Sequence, residues 1–249
     1  MLILRKSKKI MMIAEEWKNE LELLANAEKA KILSGFFKTG KGQYGEGDIF
    51  LGITVPQNRS VAKKYYNAPL DEIKKLLNSP IHEFRLSALI SLVTRFKKSK
   101  SEIERKEIVN FYLDNTSYIN NWDLVDLSCE YILGEYLLTK PHNILFELSN
   151  SSNLWEQRIA IVTTLTFVRN NNFDTALKIA TKYLTHKHDL IQKATGWILR
   201  EIGKKNIAVL RSFLDTHAHH MPRTALRYSI EKFSQEERKY YLNLKRQLR

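Results

Sequence analysis

The chain is poor in cysteine, in long apolar runs and, over most of its length, in glycine. Cysteine occurs once in 249 residues, at Cys129. That excludes a disulfide framework and leads to the expectation of a reducing, cytoplasmic setting. Cys129 lies in the run Leu127-Ser128-Cys129-Glu130 and reads as a small packing residue rather than a nucleophile. No apolar stretch approaches the ~20 residues of a membrane span. Residues 1–9 are basic but lack the apolar core and cleavage site of a secretion signal. Six of the nine glycines fall between Gly35 and Gly52, and only Gly134, Gly196 and Gly203 follow. So little glycine over so long a stretch suits helices joined by short turns. Acidic side chains are also in deficit, 27 against 40 lysines and arginines, which leaves a net charge of +13. A surplus of that size points to a polyanionic partner, and nucleic acid is the commonest.

What is present supports the same picture. With 43% hydrophobic residues a folded core is expected and disorder is not. Apolar residues recur at helical spacing, as at Leu86, Leu89, Ile90 and Val93, and again at Ile159, Val162 and Leu165. No segment alternates like a strand beside a hairpin turn.

Several of these helices read as variants of one unit. His82-Glu83-Phe84-Arg85-Leu86-Ser87-Ala88-Leu89 matches Trp155-Glu156-Gln157-Arg158-Ile159-Ala160-Ile161-Val162 in pattern. Ile191-Gln192-Lys193-Ala194 and Met221-Pro222-Arg223-Thr224-Ala225 follow it. With Asp126 in the same register the series runs 85, 126, 158, 193, 223, in steps of 41, 32, 35 and 30 residues. A period of that length marks helix-pair solenoids of the HEAT or armadillo kind. The expected fold is therefore all-α, a superhelical solenoid of HEAT-like repeats forming a single domain over residues 1–249. N-terminal helices and the glycine-rich loop would occupy about 12–52, repeats about 53–235, and a basic C-terminal helix the remainder. In such a stack Arg85, Arg158, Lys193 and Arg223 would line one face as a cationic stripe suited to phosphates. Asp126 interrupts that stripe. Either it pairs with a neighbouring arginine, or it faces the nucleic acid for a chemical reason.

Two motif-like stretches carry no chemistry on this reading. Gly40-Lys41-Gly42-Gln43-Tyr44-Gly45 fits G-x-G-x-x-G, and Gly35 to Gly42 approaches a phosphate loop. Neither follows a predicted strand or sits in a βαβ unit, so a loop between helices is expected, with Lys38 and Lys41 near enough to approach a phosphate backbone. His217, His219 and His220 cluster without further ligands at metal-binding spacing, so no metal site is expected.

The segment Asn120-Asn121-Trp122-Asp123-Leu124-Val125-Asp126 is more informative. Asn120 or Asn121 can cap a helix, on which Trp122 and Asp126 stand at i and i+4 and share a face. Trp197 and Arg200 stand at i and i+3 in Gln192-Lys193-Ala194-Thr195-Gly196-Trp197-Ile198-Leu199-Arg200-Glu201.

Trp122-Asp123-Leu124-Val125-Asp126 resembles the W-D-x-V-D motif of the AlkD-like DNA alkylation repair proteins, a family of HEAT-like repeat DNA glycosylases. The segment from Gln192 to Glu201 is similar to their Q-K-A-x-G-W-x-L-R-E motif. Leu154 to Ile161 resembles their arginine-bearing segment. Asp48-Ile49-Phe50-Leu51-Gly52 with Pro56 and Arg59 resembles their F-L-G-x-x-x-P-x-x-R segment. The resemblance runs from about Ala27 to about Phe233. It implies a monofunctional alkylpurine glycosylase that releases N3- and N7-alkylated purines from double-stranded DNA. Asp126 is then catalytic, Trp122 and Trp197 contact the sugar and backbone around the lesion, and Arg158 contacts phosphate. Arg85, Lys193, Arg200 and Arg223 complete the expected DNA-binding set. No metal, redox or nucleotide cofactor and no membrane is implied, and a cytoplasmic monomer, nucleoid-associated when bound, is expected. Three departures stand out: Asn121 precedes Trp122 where a subgroup has a second tryptophan, the glycine-rich loop is longer, and the family's N-terminal tyrosine has only Phe36, Phe37 or Tyr44 to replace it. The alternatives are a non-catalytic, structure-specific DNA-binding repeat protein and a peptide-binding scaffold.

Overall fold

The computed structural model describes residues 13–244. The basic segment at residues 1–9 and the basic end at residues 245–249 lie outside them. Among the described residues there is no β-strand, only an isolated bridge between Ile49 and Ile81, so the chain is all-helical as expected.

The chain forms two compact units, residues 1–128 and 129–249. In the first, α1 (Ile13–Glu22) and α2 (Ala27–Phe36) precede the glycine-rich loop. α3 (Val55–Ala62), α4 (Leu70–Leu77), α5 (His82–Lys98), α6 (Glu102–Asp114) and the short α7 (Trp122–Asp126) follow. α5 is the central helix, packed by α3 and α4, and most of its residues are buried around the whole circumference. A helix apolar on all sides must lie inside. Trp17 of α1 reaches this core, stacked on Tyr65 at 4.9 Å and donating to Ser87 Oγ at 2.8 Å.

The second unit opens with a π-helical turn, Glu130–Gly134, running into α8 (Glu135–Leu137). α9 (Asn143–Asn150), α10 (Leu154–Arg169), α11 (Asp174–Lys182), α12 (Asp189–Lys205), α13 (Ile207–His217), α14 (Arg223–Ser229) and α15 (Gln235–Asn243) follow. α10 packs on α9 and α12, and α12 on α13 and α14, so consecutive helices pair as a repeat fold requires. Two glycines permit close approach. A Cβ at Gly134 would lie 2.4 Å from Thr166 Oγ1, and one at Gly196 2.4 Å from the Ala225 carbonyl oxygen.

Short polar side chains start the helices where the sequence offers them. Asn26, Ser101, Asn121, Asn153, Asn206 and Ser234 each accept from a backbone amide of the first turn, satisfying donors that the helix leaves unpaired. The repeat register is real for three of its five positions: Asp126, Arg158 and Lys193 are each the fifth residue of their helices.

Candidate functional site

The site begins with two charged residues at the start of a buried helix. His82 and Glu83 open α5, and residues 48–53 dock on them. The Ile49 amide donates to the Pro80 carbonyl and the His82 amide to the Ile49 carbonyl. The Glu83 carboxylate accepts from the amides of Leu51, Gly52 and Ile53 at 3.0, 2.8 and 3.2 Å. Gly52 has φ +82°, and a Cβ there would lie 2.1 Å from the Asn26 carbonyl oxygen. Both facts restrict the position to glycine. The F-L-G stretch thus seats α2 against α5.

Beneath lies a closed set of charges. His82 Nδ1 is 3.0 Å from Asp48 Oδ2, and its Nε2 is 2.9 Å from Asp123 Oδ2. Arg85 donates to Asp48 Oδ1 at 2.5 Å and to the Ser79 carbonyl at 2.8 Å. The Asn121 amide donates to Asp48 Oδ2 at 3.2 Å. Two carboxylates, one guanidinium and one imidazolium sum to zero, as a buried ionic group demands. Burial acts on Asp48 to raise its pKa. The His82 hydrogen bond, the Arg85 and His82 charges and the Asn121 amide outweigh it and hold the carboxyl below its ordinary value. Burial likewise disfavours a charged His82. The Asp123 charge and hydrogen bond, with the Asp48 hydrogen bond, overcome it and lift the imidazole from 6.5 to about 9.

This network carries α7. Asn121 both reaches Asp48 and caps the helix through the Trp122 amide at 2.8 Å. Asp123 reaches His82 and also accepts from the Leu124 amide at 2.9 Å. Leu124 and Val125 are buried, while Trp122 and Asp126 stay half-exposed at the two ends of the turn. Aromatic rings complete the seat. Phe37 stacks on Trp122 at 5.3 Å and on Phe50 at 5.0 Å, and Phe50 stacks on His82 at 4.6 Å. Phe36 meets the Trp122 edge at 5.9 Å and is 60% exposed. Phe36 and Phe37 therefore border Trp122, while Tyr44 stays in the loop, where Lys38 Nζ stands 5.9 Å from its ring. A cavity of about 180 Å³, lined by Leu33, Phe37, Phe50, Val55, His82 and Asp123 among others, opens beside this seat.

In the second unit Lys193, Trp197 and Arg200 stand at i, i+4 and i+7 on α12. They are half-exposed while Ala194, Thr195, Ile198 and Leu199 are buried. Lys193 pairs with Asp189 at 2.8 Å, and Arg200 with Glu231.

Not every member of the expected cationic stripe lies open to a phosphate. Arg85 is 3% exposed and bound to Asp48; Arg158 is 6% exposed and donates to the Leu190 carbonyl at 2.7 Å. Arg223 donates to the Leu242 carbonyl at 2.6 Å. Arg85 and Arg158 are buried against the segments they bond, and Arg223 ties α14 to Leu242, so these guanidiniums join chain segments. The glycine-rich loop follows a helix and not a strand, consistent with its reading as a plain loop. No cluster of metal-binding side chains occurs among the described residues, His217, His219 and His220 included. No described helix is long and apolar enough to cross a membrane. Cys129 is fully buried.

Sequence reasoning missed His82, Asp48, Asp123 and Glu83 as a group. The signal was there: His-Glu and then Arg open a helix whose next eight residues, Leu86 to Val93, are apolar but for two serines and all buried. Charges at such positions have no solvent to face and need one another.

No curated protein sequence matches the chain. A solved structure described as a predicted DNA alkylation repair enzyme from Enterococcus faecalis is similar to it, with a TM-score of 0.67 at 20% identity. That likeness covers 85% of this chain and 97% of the other, and at such low identity it establishes the fold. The family profile described as DNA alkylation repair enzyme matches residues 17–233, a span that takes in the docked segment, the Trp122–Asp126 turn and α12. The chain belongs to the DNA alkylation repair enzyme family, which gives it a role in DNA repair with DNA as its substrate.

Proposed function

We propose that this protein is a monofunctional DNA glycosylase that hydrolyses the N-glycosidic bond of cationic N3- and N7-alkylated purines in duplex DNA. The observation that carries the reading is the α7 turn. An indole and a carboxylate stand half-exposed at i and i+4 of five residues that are anchored on both flanks of Trp122 to a buried ionic network.

The chemistry suits those groups. An alkylated purine of this class already bears a positive charge, so it departs as a neutral base without protonation, metal or redox cofactor. As the C1′–N bond breaks, its electron pair passes to the base and positive charge grows on the sugar. A fixed carboxylate beside the sugar stabilises that charge. Water then attacks C1′ and gives up a proton, which Asp126 is suited to accept. Trp122 offers its indole face to the charged sugar, and Trp197 of α12 offers an indole to DNA. Lys193 and Arg200, half-exposed on the Trp197 face of α12, meet phosphate on this reading. The protein works on this reading as a cytoplasmic monomer on duplex DNA.

Base release from methylated duplex DNA, wild type against Asp126→Asn, tests the proposal. A loss of roughly 10²–10³ in rate with little change in DNA affinity is expected, by analogy with removal of one preorganised electrostatic group. Equal release by both proteins removes Asp126 from the chemistry. Tight binding without release by the wild type leaves a DNA-binding repeat protein.

A further inference from the structure

We propose that His82 is a positioning residue for this reaction, clamping the turn that carries Trp122 and Asp126 to the helical core through two carboxylates at once. The inference rests on the glycosylase reading and deepens it, because it says what fixes the reacting groups in place.

The geometry sets the protonation state. Each ring nitrogen of His82 faces a carboxylate oxygen, at 3.0 Å for Asp48 and 2.9 Å for Asp123. A carboxylate only accepts, so both nitrogens must carry hydrogen, and only the imidazolium does. Arg85 on the other oxygen of Asp48 keeps that group ionised. The charged groups facing the ring are Asp48 from the docked segment, Asp123 from α7 and Arg85 from its own helix. Lys29 of α2 and Glu83 border the same cavity, with Glu83 committed to three backbone amides.

When His82 loses its proton, one carboxylate faces a lone pair. Asp123 is the one to release, since its side chain is 17% exposed against 3% for Asp48, and Asp48 keeps Arg85 and Asn121. The consequence reaches Asp126 because α7 is only five residues long and has little hydrogen bonding of its own to hold its direction. The same movement disturbs the Phe37–Trp122 stack.

The test uses the full chain between pH 6.5 and 10.5, reading base release from methylated duplex DNA and the NMR signal of the Trp122 indole N–H. In the wild type the turnover rate falls about 10²-fold above a midpoint near pH 9. KM changes much less, and the Trp122 signal titrates with the same midpoint. His82→Gln gives a low rate with no midpoint, because an amide can donate to only one of the two carboxylates. Adding Asp123→Asn to His82→Gln rebuilds an uncharged bridge, amide to amide to Asp48, which restores the rate and leaves it independent of pH. Asp123→Asn alone, which keeps the folded core intact, lowers the Trp122 midpoint toward 6.5. A Trp122 signal that stays flat across the range in the wild type overturns the clamp, as does a folded double variant no faster than His82→Gln. Wild-type protein that releases no base while Trp122 still titrates retains the clamp and removes the glycosylase reading.

Discussion

The stability of the protein should decline as pH rises through the range in which His82 loses its proton. The folded-state value is raised from 6.5 to about 9. Between those values the folded protein holds a proton that the unfolded chain has given up. Stability therefore falls with rising pH, being complete below about 6.5 and lost as pH passes 9. At about 1.4 kcal/mol per pH unit, the full loss is about 3 kcal/mol, a large share of the margin that keeps most domains folded. The other histidines and the tyrosines with burial-shifted values act outside this window. Burial lowers His186, His188 and His217, so their contribution is over by pH 6.5. Burial raises Tyr65, Tyr183 and Tyr241, which matters only where free tyrosine ionises, near pH 10. Denaturant unfolding at half-unit steps from pH 6.5 to 9.5, for wild type and for Asp123→Asn, isolates the effect. The wild type should lose most of this amount, whereas the variant, lacking the second carboxylate, should lose much less. A wild-type midpoint constant over that range would refute the imidazolium assignment, as would an identical slope in both proteins.

Three further outcomes follow from the packing. Gly196→Ala should lower the melting temperature by forcing α12 and α14 apart, at a cost of about 1–3 kcal/mol, because its Cβ would sit 2.4 Å from the Ala225 carbonyl oxygen. Arg158→Gln should cost about 1–3 kcal/mol by removing the buried guanidinium that donates to the Leu190 carbonyl, yet leave the salt dependence of DNA binding unchanged. Lys193→Gln should do the reverse, leaving folding intact while making the slope of log affinity against log salt shallower by about 1; titrations at several salt concentrations separate the two. On the acid side, Asp48 is held below its ordinary 3.8 chiefly by His82 and Arg85 working against burial. Its contribution should be complete above about pH 4 and disappear below it, seen as acid unfolding that Asp48→Asn shifts.

Periodicity alone determined that the chain is helical, that three of its helices share a register spaced by 32 and 35 residues, and that Trp122 and Asp126 rise from one turn. These are local consequences of spacing, and a helix obeys its own 3.6-residue geometry wherever it packs. Asn121 as a cap was legible for the same reason. The fate of the arginines was not. Arg85 and Lys193 occupy nearly the same place in their helices, yet one is sealed against Asp48 and the other stands half in solvent. Only the neighbours supplied by distant segments decide between those states. The pairing of Asp48 with His82, and of His82 with Asp123, spans 34 and 41 residues. A sequence shows each of these as an ordinary polar residue. It takes the fold to bring two like charges within 3 Å of one imidazole ring and so compel it to keep its proton.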